Sequence, residues 1–206
     1  MATDSVARAI ALAGLANGGG GGLSTIVAGT GTSSIVMNHD DTNTNEASGN
    51  YSVALGYGTK ATGNGTLAAG YSNTPGNIQA TGDGAVAIGS TAGSITGAGV
   101  LNAQGRGSLV CGVASAGNSL TTTNFGAIAL GAAINGNIKA SGSGALAYGY
   151  PSSYEVMASG YGSLAGGAGG YAGGSYSICI SPSTASANEL GSVAIGDSVN
   201  AYGAYQ

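Results

Sequence analysis

Few side chains in this sequence can do chemistry. Its 206 residues include one His, two Cys, four Lys or Arg and eight Asp or Glu. Three of the acids share the run His39-Asp-Asp-Thr-Asn-Thr-Asn-Glu46. Gathered from three copies near a symmetry axis, Asp40, Asp41 and Glu46 would offer hard oxygen ligands to a cation. Their spacing matches neither an EF-hand nor a zinc signature, so a solvated loop is the reading adopted. A single His and the lack of a Gly-x-Ser-x-Gly elbow leave no nucleophilic triad. Gly-x-Gly recurs throughout, without the strand–helix context that gives it meaning in phosphate binding. The expectation is no catalytic residue, no metal, no cofactor, and no enzyme. Binding chemistry is better placed, in Tyr71, Asn73, Asn118, Asn135, Tyr150 and Tyr154. These lie in the nearly uncharged segments 71–79, 113–121, 132–139 and 150–157, with 90–102 between them. Tyrosine faces and amide groups suit contacts with a sugar or a protein. The alternative is that these loops only widen and stiffen the structure.

Composition restricts what can hold such residues. Gly numbers 42, about one-fifth of the chain against a usual ~7 %, and charged residues are 6 % against ~25 %. An apolar fraction of 43 % with no Trp and one Phe cannot fill a wide globular core. The net charge of −4 argues against nucleic acid and anionic membranes as partners. Low charge and positive mean hydropathy are not the signature of disorder either. No run approaches the ~20 apolar residues of a membrane span, so no membrane insertion is expected. The apolar N-terminus superficially resembles a signal sequence, but Asp4 precedes its apolar run and Arg8 interrupts it. What remains is a narrow, repetitive, Gly-punctuated β structure.

The repeat is explicit. Ser52-Val-Ala-Leu-Gly56, Ala85-Val-Ala-Ile-Gly89, Ala127-Ile-Ala-Leu-Gly131 and Ser192-Val-Ala-Ile-Gly196 are copies of one motif, most preceded by Ala-[Ser/Thr]-Gly-x-Gly. Nine units of ten residues run 47–56, 61–70, 80–89, 103–112, 122–131, 140–149, 158–167, 172–181 and 187–196, separated by 4, 9, 13, 9, 8, 8, 4 and 5 residues. All insertions fall at one point, the behaviour of a solenoid with fixed strands and one variable loop. The glycines suit positions needing positive φ or close approach between coils.

Alternate side chains of the motif strand point to opposite faces. Val53, Leu67, Val86, Leu109, Ile128, Leu146, Leu164, Ile178 and Val193 form one column; Leu55, Ile88, Cys111, Leu130, Ile180 and Ile195 continue that face. Small residues such as Ala54, Ala87, Ala129 and Ala194 form the other. A strand uncharged on both faces is buried on both, and a two-stranded coil supplies only one core, so the second face meets copies of itself around a symmetry axis. Either column can line the coil. The companion strand is expected to carry Asn64, Asp83, Arg106 and Ser143 toward water. Large aliphatics two residues before the units (Ile78, Leu101, Leu120, Ile138, Val156) are expected to pin the long loops with a small core of their own.

The motif Ala-Ser-Gly-x-Gly-Ser-Val-Ala-Ile-Gly resembles the head repeat of trimeric autotransporter adhesins, the YadA-like left-handed parallel β-roll, over about residues 47–206. The resemblance implies a homotrimer of β-rolls used for adhesion. An N-terminal helix, a Gly joint and a trimeric β shaft are in turn similar to bacteriophage tail-fibre or head-fibre proteins. The expectation is therefore an all-β, left-handed parallel β-roll or β-solenoid of about ten short coils, homotrimeric, with a short N-terminal helix. Its divisions are 1–17 (docking or trimerising helix, with Val6, Ile10, Leu12 and Leu15), 18–46 (Gly-rich joint and capping coil, Ser34-Ile-Val-Met-Asn38 being a worn motif copy) and 47–206 (shaft or head). The expected partners are itself, a capsid or tail protein gripped by the helix, and a host surface glycan or protein. The expected location is the virion surface, the alternative being a bacterial cell-surface adhesin head. Cys111 and Cys179 lie four units apart on opposite strand faces, about 19 Å at ~4.8 Å per coil and beyond the ~7 Å a disulfide allows. Two free, buried thiols are expected.

Overall fold

The computed structural model describes residues 25–38, 45–72, 77–92, 99–151 and 153–203. The expected helix with Val6, Ile10, Leu12 and Leu15, the Gly joint, the residues 39–44 and Asn73 lie outside them. Among the described residues there is no helix. The chain is a parallel β-solenoid whose strands alternate between an eleven-stranded first sheet and a ten-stranded second sheet.

The motif strands build the first sheet in the register the repeat requires. Leu109–Ala114 pairs in parallel with Val86–Thr91 on one side and Ile128–Ala133 on the other, matching Leu109 to Val86 and Ile128, and Gly112 to Gly89 and Gly131. The worn copy Ile35–Asn38 continues the sheet in parallel beside Val53–Tyr57. Thr25–Ala28 then adds antiparallel to it as the edge strand.

The turn that joins the sheets explains the unit's first half. In 82–85 the Ala85 amide donates to the Gly82 carbonyl at 2.9 Å, and Gly84 has φ +67°, the left-handed third position that favours Gly. A methyl on Gly82 would press on the backbone of Gln104 and Gly105 in the next coil. One glycine of the pair thus serves conformation and the other close approach. The Ser or Thr that follows is buried but satisfied by its own turn, as where Ser52 Oγ donates to the Gly49 carbonyl at 2.6 Å and Thr66 Oγ1 to that of Gly63 at 2.8 Å. Asn64, Asp83 and Arg106 are exposed as expected, but they sit at this turn rather than on a strand.

The companion strand lies upstream, inside the variable segments. Thr59–Ala61, Ile78–Ala80, Val100–Ala103, Ser119–Thr122, Ile138–Ala140 and Val156–Ala158 each end on the leading residue of a unit and stack in parallel. They alternate buried and half-exposed positions. The segments between units therefore contain strand as well as loop. Ile78, Leu101, Leu120, Ile138 and Val156 are fully buried in the single continuous core, not in separate loop cores.

That core is thin, and its thinness decides the choice the sequence leaves open. The short turn holds the sheets close, so Ala54, Ala68, Ala87, Ala129, Ala147 and Ala165 point inward with no exposure, opposite the leading alanines Ala61, Ala80 and Ala103. Val110 and Cys179 are larger occupants of this inward row, and the largest side chains sit farther from the turn, where the first sheet has glycine. A methyl on Gly112 would collide with Leu120 Cδ2 at 2.9 Å. The longer coils add a further inward position to the first sheet (Ser72, Thr91, Ala114, Ala133), all buried. The insertions thus widen the core.

The large aliphatic column consequently points outward. Val53, Leu67, Val86, Leu109, Ile128, Leu146, Leu164 and Ile178 are half-buried on the outer face, Ile88 is 37 % exposed and Ile195 63 %. Cysteine placement follows: Cys179 is buried in the core, whereas Cys111, expected to be buried, is exposed on the outer face among these aliphatics. Neither thiol is bonded.

Candidate functional site

The residues with binding chemistry fall on three faces. On the outer face of the second sheet the position before each leading residue carries Glu46, Lys60, Gln79, Asn102, Thr121, Lys139, Met157, Tyr171, Ser186 and Asn200 in turn. Register places opposite charges in adjacent coils. Lys60 Nζ meets Glu46 at 2.8 Å and Lys139 Nζ meets Glu155 at 2.7 Å. Hydrogen bonds from Lys60 and then Ser48 hold the Glu46 carboxyl below its ordinary range, against a smaller opposing effect of burial. For Glu155 burial pushes upward, but the hydrogen bonds from Lys139 and Asn137 outweigh it and leave the carboxyl lowered. Arg106 lies 3.8 Å from Asp83 and 5.9 Å over the Phe125 ring. Every basic residue among those described is thus partnered, which leaves no basic track for phosphates. Among the described residues no three His, Cys, Asp or Glu side chains cluster as metal ligands.

The tight-turn edge is a ladder. The amide of Thr32 donates to Asn50 Oδ1 at 3.0 Å, that of Asn50 to Asn64 Oδ1 at 3.2 Å, and that of Asn64 to Asp83 Oδ1 at 2.9 Å. Farther along, aromatic side chains replace amides, and Tyr161 and Tyr176 meet edge-on at 5.4 Å.

The five described loop residues expected to face a receptor are not one site. Tyr71 is exposed and stacks on Tyr57 at 5.7 Å and 26° between ring planes, near one end of the solenoid. The Asn118 amide is spent inside its own region, donating to the Ile134 carbonyl at 2.8 Å and to the Ala116 carbonyl and Ser115 Oγ at 3.1 Å each. It shapes the loop rather than offering a free contact. Asn135, Tyr150 and Tyr154 are exposed. Of these, Tyr154 borders a cleft of about 320 Å³ on the second-sheet side, together with Gly169, Tyr171, Thr184, Ser186 and Asn200. Tyr154 is expected from its loop, whereas Tyr171, Ser186 and Asn200 are not among the expected residues. The signal was available: all three occupy the slot immediately before a leading Ala.

The widest uninterrupted feature is the outer face of the first sheet. From Val53 to Val193 it spans nine strands in register, about 38 Å at ~4.8 Å per strand, with two outward columns about 7 Å apart. No charged side chain stands in either column. Tyr148 closes the gap at Gly166, its ring lying where a Gly166 side chain would be.

No protein-family profile, curated protein or solved structure matches this chain.

Proposed function

We propose that the chain is the protomer of a parallel homotrimeric fibre or appendage, in which three solenoids set their first-sheet outer faces around a common axis. The observation that carries the reading is the two-column, uncharged aliphatic face. Isolated soluble chains rarely leave a contiguous apolar patch larger than a few hundred Å² in water, and such patches mark interaction surfaces. Complete burial of an aliphatic side chain is worth ~1.5–3 kcal/mol, so covering the fraction still exposed, about a third or less for most of these residues, contributes up to roughly 1 kcal/mol for each. The core is thin and largely alanine, and the coils with Thr59, Gly170 and Ala185 have no large aliphatic at the position that Ile78 or Leu101 fills in others, which makes that contribution important. The narrowness of the stripe supports three copies meeting on an axis, and the resemblance to trimeric adhesin heads supports the same number.

In this reading the segment 1–17 attaches the trimer to a capsid or tail protein, and the solenoid projects as a spacer or adhesive shaft toward a host surface. The partnered charges and the small number of reactive side chains suit a structural and binding role better than catalysis. Light scattering coupled to size exclusion tests the assembly. The expected mass is about 58 kDa, three times the 19.3 kDa chain, and Ile88→Lys, which sets a charge on the stripe, is expected to release monomer. A monodisperse monomer of the unaltered protein overturns the proposal. Immunogold labelling of virus particles against bacterial surfaces distinguishes the fibre from a cell-surface adhesin head.

A further inference from the structure

We infer that the cleft beside Tyr154 and Tyr171 is a binding site for a neutral saccharide unit. The inference deepens the adhesive reading above and rests on it for its biological sense, though not for its geometry. Two tyrosine rings contribute apolar faces. Tyr154 stands 54 % exposed at one wall, and Tyr171 is half-buried on the adjacent strand Gly170–Ala172. Between and beyond them Thr184, Ser186, Ser198 and Asn200 supply hydroxyl and amide groups. Ring faces for C–H bonds with hydroxyl and amide partners at the rim are the complement of a pyranose. The volume of about 320 Å³ holds one or two sugar rings.

The platform is held in place before any ligand arrives. Tyr171 receives a hydrogen bond at its hydroxyl from Ser159 at 3.4 Å. Gly173 leaves room for its ring, since a methyl there would stand 2.9 Å from Tyr171 Cε1. Gly169 does the same for Tyr154, whose Cβ would be 3.1 Å from such a methyl. Ser186 Oγ donates to Asn200 Oδ1 at 2.6 Å and fixes that amide. Side chains already ordered lose little further freedom on binding, which is how a shallow site gains affinity.

Charge selects the class of sugar. No basic side chain lines the cleft. Two carboxylates flank lining residues in the sequence, Glu155 after Tyr154 and Asp197 before Ser198, whose hydroxyl donates to Asp197 at 3.2 Å; their negative charge disfavours an acidic sugar. The cleft lies on the second sheet, so a trimer closed through the first sheet leaves it open three times over. Repetition of a weak site on one rigid rod raises avidity without new contacts.

The test uses the full chain with methyl glycosides of glucose, galactose, mannose and N-acetylglucosamine, and sialyllactose as the acidic comparator. Saturation-transfer NMR is expected to show transfer to ring protons of at least one neutral glycoside, with a dissociation constant in the millimolar range typical of so small a contact. Amide shifts in the unaltered protein are expected to move around 169–171, 184–186 and 198–200. Tyr171→Ala is expected to weaken binding about tenfold, while the distant Tyr51→Ala leaves it intact. Absence of binding by every neutral glycoside, equal binding of sialyllactose, shifts confined elsewhere, or unchanged affinity in Tyr171→Ala overturns the site. A monomer that still binds sinks the trimer and keeps the cleft; a trimer that binds none does the reverse.

Discussion

Two glycines of adjacent repeats separate the backbone requirements of this fold. Gly107 has φ +63° and nothing within 4 Å of where a side chain would begin. Gly107→Ala therefore meets only the left-handed penalty, about 1 kcal/mol. Gly89 has φ +147°, and a methyl there would stand inside the contact distance of the Gly112 carbonyl in the next coil. That carbonyl cannot withdraw, because its strand Leu109–Ala114 is paired on both sides. Backbone strain of ~1–3 kcal/mol then combines with overpacking of ~1–3 kcal/mol, giving about 4 kcal/mol. At this chain length 1 kcal/mol moves the melting temperature by ~2–4 °C, so Gly107→Ala is expected to lower it by about 2–4 °C and Gly89→Ala by about 8–16 °C. Circular dichroism melts at one fixed protein concentration read both, which matters because assembly makes the melting temperature concentration-dependent. Equal shifts, or a larger one for Gly107→Ala, would refute the claim that coil stacking, rather than local conformation, requires the closing glycine.

Three further outcomes follow from side chains inside and outside the coil. Asn45 bridges three coils: its amide donates to the Met37 carbonyl at 2.8 Å and the Gly56 carbonyl at 2.6 Å, while its Oδ1 accepts from the Thr59 amide at 2.8 Å. Asn45→Asp replaces the donor with a carboxylate facing two carbonyls, and is expected to destabilise by about 2–4 kcal/mol, read as accelerated amide exchange localised to residues 35–61. Exchange that rises uniformly along the chain, or not at all, would count against that bridge. Burial pushes the Cys179 thiol up, against a weaker opposing hydrogen bond with the Tyr171 backbone, so Cys179 is expected to resist thiol reagents until the chain unfolds. Cys111 is expected to react readily in a dissociated chain such as Ile88→Lys and slowly in the assembled protein. Equal Cys111 rates in the two would place the outer face in water and away from partners.

Much of this fold is legible in the sequence because the ten-residue frame tolerates insertion at one point only, and stacked strands punish any slip in register. The paired columns, the worn copy at 34–38 and the two glycine roles all come from that frame. Tertiary structure decided which column is inside. Both faces of the motif strand are uncharged, so polarity does not choose; the space left by a four-residue turn does, admitting Ala54 and Ala87 and turning Leu67 and Val86 outward. Folding also decided where the companion strand lies. Three residues such as Ile78–Ala80 are too short to show a period, and they hide in segments whose lengths vary. The cleft was least legible of all, since Tyr154, Tyr171 and Asn200 are 17 and 29 residues apart in sequence. Only the stacking of successive coils, at ~4.8 Å each, makes them neighbours.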